Sequence, residues 1–168
     1  MIDLHQRQAG VLLHVTSLPG PNGIGDFGPD AFRFVDWLTS AGQKIWQWLP
    51  TTPIGPGDSP YQSVSAFAGS PLMVALEPLV LSGWLDPPNL PNNGFDPLRV
   101  DFGHVVPWRL AQLRLAYQGF IVKNALTEQQ AFADWRVQES SWLDDYSMFM
   151  ALENENQGKA WWHWPDAE

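Results

Sequence analysis

The stretch Ala9-Gly-Val-Leu-Leu-His14 is the first strand that the sequence predicts. Short apolar runs of this kind are consistent with strands that are buried on both faces. A helical pattern follows, beginning at Pro29 and ending at Gly42. A second apolar run, Lys44-Ile-Trp-Gln-Trp-Leu49, then stops at Pro50. A strand, a helix and a strand in this order predict a parallel pair with a right-handed crossover.

A long loop, defined here as residues 51–69, follows the second strand and is rich in proline and glycine. Loops longer than about 12–15 residues in compact domains are usually functional or disordered. Within it, Gly57-Asp-Ser-Pro-Tyr-Gln-Ser63 brings an aromatic ring, a carboxylate, an amide and hydroxyls to the carboxyl end of a strand. Sugars bind to such a mixture of flat apolar surface and hydrogen-bonding groups. The pattern is compatible with a carbohydrate site and with a rigid structural loop, and the residues alone leave both interpretations open.

The remainder of the chain has weaker signals. Residues 72–76 fit either a third short strand or the start of a helix, and the proline-rich stretch 86–94 is typical of a surface linker. Apolar residues at helical spacing then predict one helix that ends near Gly119, one that Thr127 caps, and one that follows Trp142.

The length of 168 residues is too short for a complete eight-stranded (β/α)₈ barrel, which typically needs about 250 residues. We predict two domains: residues 1–83, with the strands and the long loop, and residues 84–168, which are mainly helical. The aromatic-rich last residues suggest a sequence that stops within an element. The ten tryptophans are expected to pack in the core and between helices rather than to stack on a ligand.

The composition excludes several classes of partner. A net charge of −9 with only nine lysines and arginines argues against nucleic acid and anionic membranes, and leaves a neutral, hydroxyl-rich ligand open. The absence of cysteine removes disulfides, thiolate nucleophiles and cysteine-ligated zinc. Residues 1–7 do not resemble a signal peptide, and no apolar run reaches the length of about 18 residues that a membrane span requires. A cytoplasmic location is the resulting expectation.

A glycine pattern, Gly23-Ile-Gly-Asp-Phe-Gly28, matches the dinucleotide fingerprint but lies in the wrong context. Eight residues separate His14 from Gly23, whereas a pyrophosphate site needs the strand to run directly into the first glycine. We therefore interpret these glycines as loop-shaping residues. The four histidines are scattered, so no metal site is predicted. His14, at the carboxyl end of the first strand, either bonds to a neighbouring loop or contacts substrate.

No catalytic group is singled out by spacing. The carboxylates Asp26, Asp30, Asp58 and Asp101 are candidates for paired-carboxylate chemistry, but no two of them are marked as a pair. No G-x-S-x-G motif occurs, so the serines do not form a nucleophile elbow.

Several motifs together resemble one family. They are Leu13-His-Val-Thr-Ser-Leu-Pro-Gly20 with Gly23-Ile-Gly25, then Trp46-Gln47, then Gly57-Asp-Ser-Pro-Tyr-Gln-Ser63 and Ser65-Ala-Phe-Ala-Gly69. In this combination they resemble the N-terminal region of the amylomaltases, which are bacterial 4-alpha-glucanotransferases. The resemblance spans nearly the whole chain, and the Asp-Ser-Pro-Tyr-Gln-Ser segment is its most specific part.

This resemblance implies an α/β fold, namely the first strands of a partial (β/α)₈ TIM barrel with an inserted, mainly helical subdomain. It implies a retaining transfer of α-1,4-glucan segments to the 4-hydroxyl of glucose or of another glucan, without metal or organic cofactor. The family's catalytic carboxylates lie on later barrel strands. We therefore assign no catalytic residue in this chain and expect the isolated chain to be inactive.

The resemblance also implies a set of substrate-binding residues. Tyr61 matches the family tyrosine beside the scissile bond on the donor side, and Ser59 is expected to contact a neighbouring glucose. Asp58 and Gln62 either bind sugar or hold the loop. The expected partners are α-1,4-glucans and maltooligosaccharides, and the alternative is a non-catalytic remnant that binds maltooligosaccharides.

Overall fold

The computed structural model describes residues 7–87, 94–96 and 98–165. Its strands and helices, in chain order, are β1 (Gly10–Leu12), α1 (Pro29–Ser40), β2 (Ile45–Gln47), α2 (Glu77–Leu81), α3 (Phe102–Lys123), α4 (Leu126–Gln138) and α5 (Leu143–Glu155). The described part of the chain is thus mainly helical, with a small two-stranded parallel sheet.

The predicted strand–helix–strand unit is confirmed. β1 and β2 pair in parallel, with Val11 opposite Trp46, and α1 connects them. A backbone bond extends the ladder beyond the strands, from the amide of Leu13 to the carbonyl of Gln47 at 2.9 Å. The carboxyl ends of both strands therefore lie at one edge of the sheet, where parallel sheets bind ligands.

The expectation that β1 is buried on both faces is wrong. Leu12 is 60% exposed, and Val11 is half-buried. Among the described residues the sheet has only two strands. Trp46 of β2 packs with Phe34 of α1 at a ring-centroid distance of 5.0 Å. Because successive side chains of a strand point to opposite faces, a helix that packs on one face leaves the residues of the other face uncovered.

α1 begins and ends as its sequence predicts. Pro29 occupies its first position, where the missing amide hydrogen costs nothing, and Gly42 follows the last turn with a φ of +71°. A side chain also serves the helix start: the Asp26 carboxylate accepts a hydrogen bond from the Gly28 amide at 2.9 Å. The start of α1 is therefore held by a residue outside the helix.

Three of the predictions for the later part of the chain are corrected. Residues 72–76 form neither a strand nor a helix start, since a 3₁₀ turn over Pro71–Met73 leads into α2. α3 runs past Gly119 instead of ending there. The glycine is used for close packing, because a Cβ at this position would lie 2.0 Å from the Trp84 carbonyl oxygen.

Thr127 does not cap its helix. α4 begins at Leu126, which precedes Thr127, and its N-cap residue is the extended Ala125, which makes no side-chain cap bond. Asn124, which precedes Ala125, has a left-handed backbone with a φ of +45°. Thr127 therefore lies inside the first turn of α4 and not at the N-cap position, where a hydroxyl would bond to the free amides.

Among the residues that the structure describes, most buried apolar side chains belong to three clusters. One lies between the sheet edge and α1, one packs around Ile24, Leu72 and Val105, and one around Leu76, Leu85 and Ala116. The tryptophans contribute at the margins of these clusters or outside them, since all ten are half-buried or exposed. The tryptophans therefore do not fill the core, although some of their rings pack against it.

Truncating Leu76 is expected to lower the free energy of unfolding by about 2 kcal/mol, the lower end of the range for buried leucines. Leu76 is 0% exposed and belongs to the third cluster, so Leu76→Ala removes buried methyl groups and leaves a cavity. Leu81→Ala is the matched control, because Leu81 is 88% exposed on α2. Urea unfolding of both variants measures the difference, and equal stability losses would contradict the assignment of this core.

Contacts divide the chain into two compact units. The first comprises Met1–Val64 and Gly69–Lys123, and the second comprises Ser65–Ala68 and Asn124–Glu168. The boundary predicted between residues 83 and 84 stays a prediction. The linker predicted at 86–94 lies largely outside the described residues. Within the described part, no helix combines the length and the apolar character needed to cross a membrane.

Candidate functional site

The long loop starts just beyond β2 and is closed at its base. The amide of Ser70 donates to the carbonyl of Thr51 at 2.7 Å, which joins the two ends of the loop. Further along, the amide of Gly55 donates to the carbonyl of Ser59 at 2.9 Å, across a short antiparallel bridge. Between Gly55 and Ser59 the chain makes a tight turn at Pro56–Asp58, in which Gly57 has a non-helical backbone conformation. The loop is therefore an ordered structure with two hydrogen-bonded closures.

Two successive residues with a left-handed backbone conformation form the tip of the long loop. Gly57 has a φ of +68° and Asp58 a φ of +60°. Glycine adopts this conformation without steric cost, and aspartate is among the residues that tolerate it best. The glycine and the aspartate of the motif are thus explained in part by the backbone turn.

Tyr61 projects its ring away from the protein. Its side chain is 71% exposed, although the backbone on both sides is held. Ser59 Oγ accepts a hydrogen bond from the Tyr61 amide at 3.3 Å, and the hydroxyl of Thr52 donates to the Pro60 carbonyl at 3.3 Å. An anchored backbone beneath an exposed ring is the arrangement that a stacking platform needs.

The four residues that sequence analysis selected lie in this one turn. Asp58 and Gln62 are exposed, whereas Ser59 is half-buried and bonds to the backbone of Tyr61. The backbone of Gln62 packs against Gly55, where a Cβ would lie 1.9 Å from the Gln62 carbonyl oxygen. The structure thus brings the four residues together, with the Tyr61 ring and the Asp58 and Gln62 side chains open to solvent.

His14 lies at the carboxyl end of β1 and is half-buried. Its Nδ1 is buried and has no hydrogen-bond partner among the described residues. Burial lowers the pKa of His14 below its usual value of 6.5, because the apolar surroundings disfavour the charged imidazolium. Burial at this position therefore favours the neutral imidazole over the imidazolium.

The lowered pKa predicts a pH dependence of stability. Near pH 6.5 the unfolded chain binds more protons at His14 than the folded chain does. The contribution of His14 to the free energy of unfolding should therefore be fully present above this pH and be lost as the pH falls from 6.5 through the folded-state pKa. Unfolding of the chain and of His14→Gln, compared across this range, measures the effect. An identical pH profile for the two proteins would contradict it.

A buried ion pair is the feature that sequence analysis missed. Arg109 of α3 is 0% exposed, and its Nη2 lies 2.6 Å from Oδ2 of Asp26. The two residues are 83 positions apart, so no local pattern joins them. One available signal was the position of Arg109 between Trp108 and Leu110 in an otherwise apolar part of α3. Asp26 therefore has a structural role as the partner of Arg109 in this ion pair.

The Asp26 carboxylate also bears on the glycine pattern. It bonds to the Gly28 amide at the start of α1, the kind of group that a bound phosphate would approach. A side chain of the protein itself thus occupies the anion-binding end of this helix. This geometry agrees with the interpretation of the glycines as loop-shaping residues.

A separate cleft of about 570 Å³ lies in the first unit. It is lined by residues 16–20, Gly23, Ile24 and 98–100, with Asp96 and Phe102. None of the four predicted sugar-binding residues lines it. In the part of the chain that the structure describes, no three histidine or acidic side chains are grouped as metal ligands would be.

Comparisons with known proteins agree on one family. A family model described as 4-alpha-glucanotransferase matches residues 13–168. The 4-alpha-glucanotransferase of Thermus thermophilus is 46% identical over 159 residues, which are 95% of this chain and 31% of that protein. The 4-alpha-glucanotransferase of Synechocystis is 40% identical over 163 residues, which are 96% of this chain and 32% of that protein.

A solved structure gives the same result. The amylomaltase from Streptococcus agalactiae, determined in complex with acarbose, superposes with a TM-score of 0.88 at 38% identity. The match covers 96% of this chain and 32% of that one. The chain thus spans about a third of the length of the relatives that it matches. With the family model, the relatives and the fold in agreement, this chain belongs to the 4-alpha-glucanotransferase family.

Proposed function

We propose that this chain supplies the donor-side glucan-binding wall of a 4-alpha-glucanotransferase, with Tyr61 as its central contact. The observation that carries this proposal is the exposed Tyr61 ring on an anchored backbone, beyond the carboxyl end of β2. Active sites of barrel enzymes lie at this end of the strands. A ring held in this way offers a flat apolar face to a glucose unit at a small cost in conformational entropy.

The neighbouring side chains suit a hydroxyl-rich ligand. Asp58 offers carboxylate oxygens, and Gln62 offers both an amide donor and an amide acceptor, so that together they match sugar hydroxyls. Ser59 is half-buried and its hydroxyl oxygen accepts a hydrogen bond from the backbone amide of Tyr61, so in this proposal it supports Tyr61 and contacts a neighbouring glucose. The proposed substrates are α-1,4-glucans and maltooligosaccharides.

The proposed reaction is a retaining double displacement. A carboxylate attacks the anomeric carbon and forms a glycosyl-enzyme, while a carboxylic acid protonates the leaving oxygen. The 4-hydroxyl of glucose or of another glucan then replaces the enzyme carboxylate. We assign neither acid to this chain, and Asp26 is unsuited to either role because Arg109 holds it in a buried ion pair. In this proposal β1 and β2 are the first strands of a (β/α)₈ barrel, and the helical part is an insertion. The location in the cytoplasm stays a prediction.

A hybrid enzyme tests the proposal. This chain replaces the matching third of the Thermus thermophilus 4-alpha-glucanotransferase, and the product is incubated with maltotriose. Release of glucose together with longer maltooligosaccharides is the expected result, whereas the 168-residue chain alone should give neither. A folded hybrid that binds maltooligosaccharides without transferring them would favour the alternative of a non-catalytic binding remnant.

A further inference from the structure

One arginine connects the two loops that leave the sheet edge. Arg109 of α3 is fully buried, and its Nη2 donates both to Oδ2 of Asp26 at 2.6 Å and to the carbonyl oxygen of Val74. Asp26 lies in the segment that follows β1, and Val74 lies just beyond the long loop that follows β2. A single guanidinium nitrogen therefore joins these two segments to α3.

The contact at Val74 continues to the base of the long loop. The amide of Met73 donates to the carbonyl of Ser70 at 3.1 Å, and the amide of Ser70 donates to Thr51 at 2.7 Å. From Thr51 the chain reaches Thr52, whose hydroxyl holds the Pro60 carbonyl next to Tyr61. A short series of hydrogen bonds thus links the arginine contact to the backbone beneath the exposed ring.

The Asp26 side of the contact is equally fixed. Oδ1 of Asp26 bonds to the Gly28 amide at 2.9 Å, and the neighbouring amide of Phe27 donates to the Met73 carbonyl at 3.1 Å. The segment after β1 is therefore bonded both to the start of α1 and to the 3₁₀ turn that follows the long loop. Movement of Asp26 would displace both at once.

We propose that Arg109 is a positioning residue for glucan binding, which fixes the base of the long loop through Asp26 and Val74 and so sets the place of Tyr61; this inference rests on the proposed function. A buried ion pair is seldom more stabilising than apolar residues of similar volume, so its presence here calls for another explanation. Its directional hydrogen bonds define one arrangement of the two segments, which apolar packing defines less sharply.

The first test measures amide hydrogen exchange in the 168-residue chain. A double variant, Arg109→Met with Asp26→Asn, removes both charges, keeps the aliphatic volume and leaves an amide oxygen for Gly28. Exchange at the amides of Ser70 and Phe27 is expected to become at least about tenfold faster, with no change in α5. Arg114→Met is the matched control, since Arg114 is exposed on the same helix. Unchanged exchange at Ser70 and Phe27 in the double variant would overturn the proposal.

The second test separates positioning from stability in the hybrid enzyme. The double variant is expected to raise the KM for the glucan donor about tenfold, with kcat within about twofold, since the groups that react are untouched. Arg109→Lys should stay closer to the unsubstituted KM than the double variant does, because it keeps Asp26 and a cationic donor, and both contacts of Arg109 use a single nitrogen. An unchanged KM in the double variant, or an equal rise in both variants, would overturn the proposal. A hybrid with native Arg109 that transfers nothing would instead contradict the proposed function, while the exchange measurement still decides whether the arginine holds the loop.

Discussion

Replacing Tyr61 by alanine is expected to lower the kcat/KM for glucan transfer by the hybrid enzyme about a hundredfold, or about 2.7 kcal/mol, the loss typical of a tyrosine at the centre of an interface. The free energy of unfolding should hardly change, because the ring is 71% exposed and supports no core cluster. Initial rates with maltotriose and urea unfolding of the same preparations give the two quantities.

Two controls make this result specific. Tyr61→Phe keeps the ring, so most of the transfer activity should remain if stacking is its main contribution. Tyr117→Ala removes another exposed tyrosine, 55% exposed on α3, and should leave transfer unchanged. Equal losses of activity and stability in Tyr61→Ala would indicate that the tyrosine holds the loop and does not bind glucan.

The parts of the fold that sequence analysis predicted correctly are those that local patterns determine. The two strands are short apolar runs, and the helix between them has a helical pattern of its own. Pro29 and Gly42 mark the ends of α1 by their backbone preferences. The long loop was identifiable for the same reason, since its prolines and glycines exclude a regular element. Its selected residues, Asp58 and Tyr61 among them, then lie together because they are neighbours in sequence.

The parts that sequence analysis missed depend on contacts between distant residues. The pair of Asp26 and Arg109 forms only when α3 packs against the segment after β1. The sequence around one of these residues gives no indication of the other. Gly119 resembles a helix end, yet the approach of the Trp84 backbone is what requires a glycine there. The burial of β1 was also predicted wrongly. An apolar sequence indicates that a strand favours burial, but it does not indicate which other elements cover the strand.

Replacing Gly55 by alanine is expected to reduce transfer by the hybrid enzyme more than about a hundredfold, the scale of loss that follows when substrate-positioning groups are displaced. A Cβ at this position would lie 1.9 Å from the Gln62 carbonyl oxygen and 2.7 Å from its carbonyl carbon. Because these are backbone atoms, no side-chain rotation relieves the overlap. The backbone at Gly55 or at Gln62 must therefore shift, and we expect Tyr61, the neighbour of Gln62, to move with it.

Gly69→Ala provides the matched control for this variant. It lies in the same loop, with a backbone that accepts alanine and no atom within 4 Å of the added Cβ, so its activity should equal that of the unsubstituted hybrid. Circular dichroism of Gly55→Ala should show unchanged helix content, because the helices do not depend on the bridge. Full activity in Gly55→Ala would mean that the loop tip tolerates rearrangement, and the anchored backbone beneath Tyr61 would then lose its role in glucan binding. A loss of activity with the helices intact would instead tie transfer to the shape of this one turn.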